Sequence, residues 1–149
     1  MKLNQYFVLA TLSVGLTGTA LAQFAKPESA IKYRQSALSV MSTHFSRIGA
    51  VVKGDVPYNK ESVAADAAIV NTLASLPWQG FGPGTESNNA LPAIWTESAK
   101  FKSNQEKLIS AASNLNTAAQ SGDFDAIKKA FGATGQTCKT CHDEFKKKS

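Results

Sequence analysis

The chain has 149 residues, 43% of them hydrophobic, 18% charged and 9% aromatic, with ten Gly, five Pro and two Cys. This is the composition of one ordinary globular domain, and no low-complexity tract argues for disorder over most of its length. Sixteen basic against eleven acidic side chains give a net charge of +5, but no basic and aromatic groove goes with it, which argues against nucleic acid as a partner.

Met1 to Ala22 holds one charge, Lys2, then an apolar stretch from Tyr6 to Leu16 and a small-residue end, Thr19-Ala20-Leu21-Ala22. That order is a secretory signal with an A-x-A cleavage site, expected to be cut after Ala22. The apolar core is shorter than the roughly 20 residues a spanning helix needs, so the exported domain, residues 23–149, is expected in the periplasm without a membrane anchor.

From Pro27 to Val52 the stripe Ile31, Arg34, Leu38, Met41, Phe45, Ile48, Val52 advances alternately by three and four, the spacing of one helix face. Pro27 suits the first turn and Glu28 complements the helix dipole. A second helix follows Asn59 as N-cap, carries Val63, Ala67, Val70, Leu73 and Leu76, and stops at Pro77. A third is predicted from about Glu97 to Ala119. The fourth starts near Asp123 and carries Phe124, Ile127, Phe131, Thr134, Cys138, Cys141 and Phe145 at the same alternating spacing, with Gly132 and Gly135 weakening its middle. No window alternates with period two, so the fold class is all-α, an antiparallel up-and-down four-helix bundle. The connection from Trp78 to Ile94, rich in Gly, Pro and Asn, is too long to be a plain turn and is expected to be functional or packed as an Ω-loop.

The only two cysteines fall in Cys138-Lys139-Thr140-Cys141-His142, which is C-x-x-C-H, the attachment sequence of c-type haem. Two thiols at i and i+3 can add to the two vinyl groups at one porphyrin edge, while the histidine at i+4 from Cys138 reaches the iron from the same helix surface. A zinc site would need four ligands, and only His44 remains to supply another nitrogen. A dithiol oxidoreductase would want a strand and helix context that is absent. The motif therefore predicts one haem c per chain, covalent through Cys138 and Cys141, with His142 as the metal ligand.

C-x-x-C-H near the C-terminus of an exported four-helix chain resembles the cytochrome c′ family, the class II c-type cytochromes. The likeness also runs through Gln23-Phe24-Ala25-Lys26-Pro27-Glu28, Lys32-Tyr33-Arg34-Gln35-Ser36-Ala37-Leu38, Leu76-Pro77-Trp78, Phe81-Gly82-Pro83-Gly84-Thr85-Glu86 and Ala130-Phe131-Gly132. The resemblance implies that Leu38 sits over the iron and leaves it five-coordinate, open to small neutral ligands such as NO and CO. It also implies a homodimer packed through the first helices, for which Tyr33, Ala37 and Val40 offer a modest second apolar strip. Asn89 stands where relatives can carry Asp, and Lys146 where Arg is common.

Several side chains are candidates around this group. Arg34 interrupts an apolar stripe, and a guanidinium there wants an anion, which the haem propionates would supply. The resemblance adds Gln35, Thr85 and Glu86 at the haem edge. Trp78 and Phe81 are expected to wall the pocket, and Lys146, i+4 from His142, to lie near the proximal face. Met41 lies on the core stripe, where it packs or, in the alternative reading, serves as sixth ligand of a low-spin electron-transfer cytochrome. His44 falls off the stripe and is expected at the surface. The leading expectation is a non-enzymatic NO-binding haem protein with possible one-electron exchange with a redox partner protein. No distal His and Arg pair or second metal site suggests a peroxidase or an NO reductase.

Overall fold

The computed structural model describes residues 23–148, so the predicted signal segment and its cleavage site lie outside the described residues. Helix α1 spans Pro27–Lys53, with proline in its first turn, Glu28 at its positive end and Lys53 at its negative end. It stops at Gly54, whose left-handed backbone (φ +83°) lets the Gly54 and Asp55 N–H groups close back on the carbonyls of Val51 and Ala50. Helix α2, Lys60–Leu73, begins where the Asn59 side chain accepts the Ser62 N–H at 2.8 Å. A one-turn helix α3, Ala93–Thr96, leads into α4, Ser98–Ser121. Helix α5, Phe124–Phe145, is capped by Asp123, which accepts from the N–H groups of Asp125 and Ala126. It runs unbroken through Gly132 and Gly135, because its Ile127, Thr134 and Phe145 face is anchored in the core.

The core shows how the four long helices alternate in direction. Ile48 near the end of α1, Val63 at the start of α2, Ala119 near the end of α4 and Ile127 at the start of α5 share one buried cluster. A second layer joins Met41, Val70, Leu108 and Ala112, and a third joins Ile94, Phe101 and Phe145. Neighbouring helices in this order, linked by short turns at 54–59 and 122–123, form an antiparallel four-helix bundle. Contact between α1 and α5 is sparse beside that of the other neighbours.

The long connection after α2 carries local structure of its own. Helix α2 ends at Leu73, three residues earlier than its apolar pattern, since Ala74 and Ser75 already turn the chain toward a 3-10 helix at Pro77–Phe81. This piece lies so close to α1 that a Cβ on Gly80 would stand 2.6 Å from the Ala30 carbonyl oxygen and 2.9 Å from Arg34 Cβ. Gly80→Ala should therefore lower the unfolding free energy by about 1–3 kcal/mol or more, the range of overpacked sites, and a urea midpoint equal to that of the unsubstituted chain would contradict this.

Two surface expectations change. His44 is not a free surface residue: its Nδ1 lies 2.6 Å from Asp66 Oδ1, tying α1 to α2, with both side chains less than one-fifth exposed. Of the second apolar strip on α1, Ala37 is buried and Tyr33 packs against Phe24, which leaves Val40 exposed.

Candidate functional site

The last turns of α5 place Cys138, Cys141 and His142 on the wall of a cavity of about 590 Å³, inside the range of sites that enclose a small molecule or cofactor. Helix α1 contributes Arg34, Gln35, Leu38 and Met41, and the connection after α2 contributes Trp78 and Phe81. The spacing of the α1 residues by three and four is what turns them to one side. Trp78, Phe81, Phe101 and Phe145 stack edge to face or in parallel at the inner end, with centroids 5.0–6.1 Å apart. Met41 is 7% exposed and belongs to the buried cluster with Val70 and Leu108, while half-buried Leu38 packs against that cluster.

Arg34 is 2% exposed. Its Nη1 donates to the Gly80 carbonyl at 2.6 Å and to Thr85 Oγ1 at 2.9 Å, its Nη2 donates to Ser87 Oγ at 3.1 Å, and its guanidinium carbon lies 4.3 Å from the Phe81 ring centre. Burial pulls its pKa below the usual arginine value, an effect that the charge of Glu86 partly offsets. No carboxylate among the described residues is within ion-pair distance of it, and two of its five N–H groups have no protein partner there. A group carrying carboxylates at this end of the cavity fits that arrangement.

Thr85 and Glu86 are not among the residues that line the cavity. Residues 85–87 lie outside any helix, with Thr85 buried, Glu86 exposed and Ser87 half-buried. Thr85 is buried with its hydroxyl between Arg34 and the Gly82 carbonyl, Ser87 turns the same way and lines the cavity, and Glu86 between them faces solvent. Ser87 was among the residues missed, because nothing in the local sequence marks a loop serine as a partner of Arg34, 53 positions away. Asn89, Phe101 and Phe145 also line the cavity.

Lys146 reaches the cavity as the residue that caps α5, its N–H still donating to the carbonyl of His142, four positions back, at 3.1 Å. Helix α5 ends at Phe145, and Lys146 is extended (φ −110°, ψ 134°) and paired with Ala90 in an isolated antiparallel bridge. Partial burial of the His142 ring, followed by the charge of Lys146, lowers the imidazole pKa. Burial raises Cys138 and, with the charges of Cys138 and Glu144 adding to it, pushes Cys141 up to about 11. A dithiol nucleophile needs the opposite shift, so the thiol pair is not arranged for disulfide exchange. Among the described residues no group of three or more His, Cys, Asp or Glu side chains is placed to hold a bare metal ion.

A family model described as cytochrome C′ matches residues 29–146. The chain belongs to the cytochrome c′ family. It is 48% identical over 126 residues to a cytochrome c′ of Alcaligenes xylosoxydans xylosoxydans, covering 85% of this chain and 99% of that one, and 44% identical over 129 residues to that of Rubrivivax gelatinosus, covering 85% and 100%. The crystal structure of the Rubrivivax gelatinosus cytochrome c′ superposes with a TM-score of 0.81 at 44% identity, over 84% of this chain and all of the other. A nitric oxide complex of a leucine-to-alanine mutant of cytochrome c prime from Alcaligenes xylosoxidans superposes at 0.82 with 46% identity, over 85% and 100%. As a cytochrome c′, the chain has haem c as its cofactor, one per chain and covalent through Cys138 and Cys141.

Proposed function

We propose that this cytochrome c′ binds nitric oxide, and carbon monoxide in vitro, at a haem whose iron takes His142 as its only protein ligand. One observation carries the reading: on the α1 side, facing Cys138, Cys141 and His142, the cavity is lined by Leu38, which has no donor atom, beside Met41, whose side chain is also packed in the buried cluster with Val70 and Leu108. Supporting it, a relative nearly half identical to this chain is named as a nitric oxide complex.

When bound, haem supplies a single iron able to hold one diatomic ligand and to exchange one electron. The chain does the rest. Leu38 keeps water from the distal side, and the absence of a donor there leaves no hydrogen bond to favour O₂ over NO or CO. Arg34, held by the backbone and two hydroxyls, presents its remaining N–H groups to the haem carboxylates, with Gln35 at the rim. Trp78 and Phe81 keep the inner end dry, and Lys146 lies near the His142 side. The protein is read as a periplasmic NO sequestering protein rather than an enzyme, with one-electron exchange to a redox partner as a secondary capacity. Exposed Val40 on α1 and Ile69 on α2 offer apolar contacts for a homodimer.

The test is the absorption spectrum of the holoprotein, ferric and ferrous, before and after CO. A high-spin ferrous spectrum that shifts fully with CO is expected. Sharp low-spin ferrous bands unmoved by CO would mean an internal sixth ligand, Met41 first, and an electron-transfer cytochrome.

A further inference from the structure

The His142 ring makes no hydrogen bond to any described residue. Metal-bound imidazoles are usually oriented by a partner on the other ring nitrogen, so here the ring takes its direction from the turn of helix that carries it. Glu144 stands two positions further on, about 200° around the helix from His142, and reaches α4. Its Oε2 accepts the Asn104 Nδ2–H at 2.9 Å, and its Oε1 lies 3.1 Å from Lys100 Nζ. Asn104 is 6% exposed, and the same amide nitrogen also donates to the Lys100 carbonyl at 3.2 Å. A carboxylate in the last turn of a helix faces the negative end of the dipole, so this placement is unfavourable without the partners on α4.

The backbone adds a second fastening. The Leu91 N–H donates to the Phe145 carbonyl at 3.0 Å, and the Lys147 N–H to the Asn89 carbonyl at 3.1 Å. Phe145 is buried against Phe101, with ring centres 5.1 Å apart. Side-chain bonds to α4 hold the turn against rotation, and backbone bonds to residues 89–91 hold it against sliding.

We propose that Asn104, Lys100 and Glu144 form a clasp between α4 and α5 that positions His142 and would set how strongly it holds the iron. The inference rests on the reading of His142 as the iron ligand. These are positioning residues, since none of the three lines the cavity.

The test uses holoprotein carrying Asn104→Ala, Glu144→Ala or Glu144→Gln, followed by hydrogen exchange of the amides of residues 141–147 and by the iron–histidine stretching band of the ferrous state in resonance Raman spectra. Asn104→Ala and Glu144→Ala should speed exchange in 141–147 by about tenfold relative to α1 and α2. They should also lower and broaden the band, and raise the fraction of NO-loaded ferrous protein that has lost the histidine. Glu144→Gln, which keeps an acceptor for Asn104, should recover most of the band position. Should Asn104→Ala fail to fold, Lys100→Met, at a more exposed side chain, should produce a smaller shift of the same sign. An unchanged band, or faster exchange spread evenly over all helices, overturns the clasp. A ferrous protein with no iron–histidine band before any substitution overturns instead the reading beneath it.

Discussion

Arg34→Met is expected to lower the unfolding free energy by about 3–5 kcal/mol, the loss seen when one member of a buried charged network is removed. Methionine fills much of the same volume but donates nothing. The Gly80 carbonyl and the Thr85 and Ser87 hydroxyls would each lose the N–H they now accept, and the Phe81 ring would lose the cation stacked on it. Arg34→Lys should recover little, because one ammonium cannot reach three acceptors that a planar fork meets at once. The measurement is the urea midpoint of the holoprotein, with Glu86→Gln as control; that exposed side chain makes no hydrogen bond to Arg34, so its change should stay within about 0.5 kcal/mol. A midpoint for Arg34→Met within error of the unsubstituted protein would show that the loop holds without its anchor.

Leu38→Ala should raise the association rate of CO with the ferrous protein by at least about tenfold, equivalent to about 1.4 kcal/mol of barrier. If Leu38 caps the iron, a ligand must push the isobutyl group aside before it binds, and alanine removes that obstruction. The stability loss should lie near the low end of the roughly 2–5 kcal/mol range for buried leucines, because Leu38 is only partly buried. Met41→Ala separates the two roles: its side chain is nearly inaccessible within the core, so it should cost more stability. Stopped-flow mixing with CO reads the first effect directly. A Leu38→Ala rate equal to that of the unsubstituted protein would remove Leu38 from the distal position.

The long helices were legible because each carries an apolar stripe at spacings of three and four and ends on a chemically recognisable stop, such as Gly54, Gly122 or the Asp123 cap. The attachment motif was legible for a different reason, since its chemistry is local and needs only one turn of helix. What sequence could not place was set by tertiary contact. The 3-10 helix at Pro77–Phe81 exists because the chain must pass within touching distance of Ala30 and Arg34. Arg34 stands out in sequence as polar on an apolar stripe, but its protein partners come from residues 46 to 53 positions away, which no local pattern encodes. Thr85 is buried against Arg34 while its neighbour Glu86 is exposed, a difference that depends on where α1 lies and not on the two residue types. Lys146 keeps the i+4 bond to His142 that helix counting gives it, but its pairing with Ala90 comes from a residue 56 positions away and could not be read locally.

The sparse contact between α1 and α5 has a consequence for how the chain holds together. Leu38 and Cys138 face the same cavity from positions 100 residues apart, so anything fixed to α5 and gripped by α1 closes a loop of that length. By the logarithmic law of ring closure, bringing such ends together costs on the order of 4 kcal/mol of chain entropy. A covalently attached group stays with the unfolded polypeptide and does not drift away. After each unfolding it is therefore already present at one end of the ring, and refolding becomes a search by one chain for its own other half, at a rate independent of protein concentration.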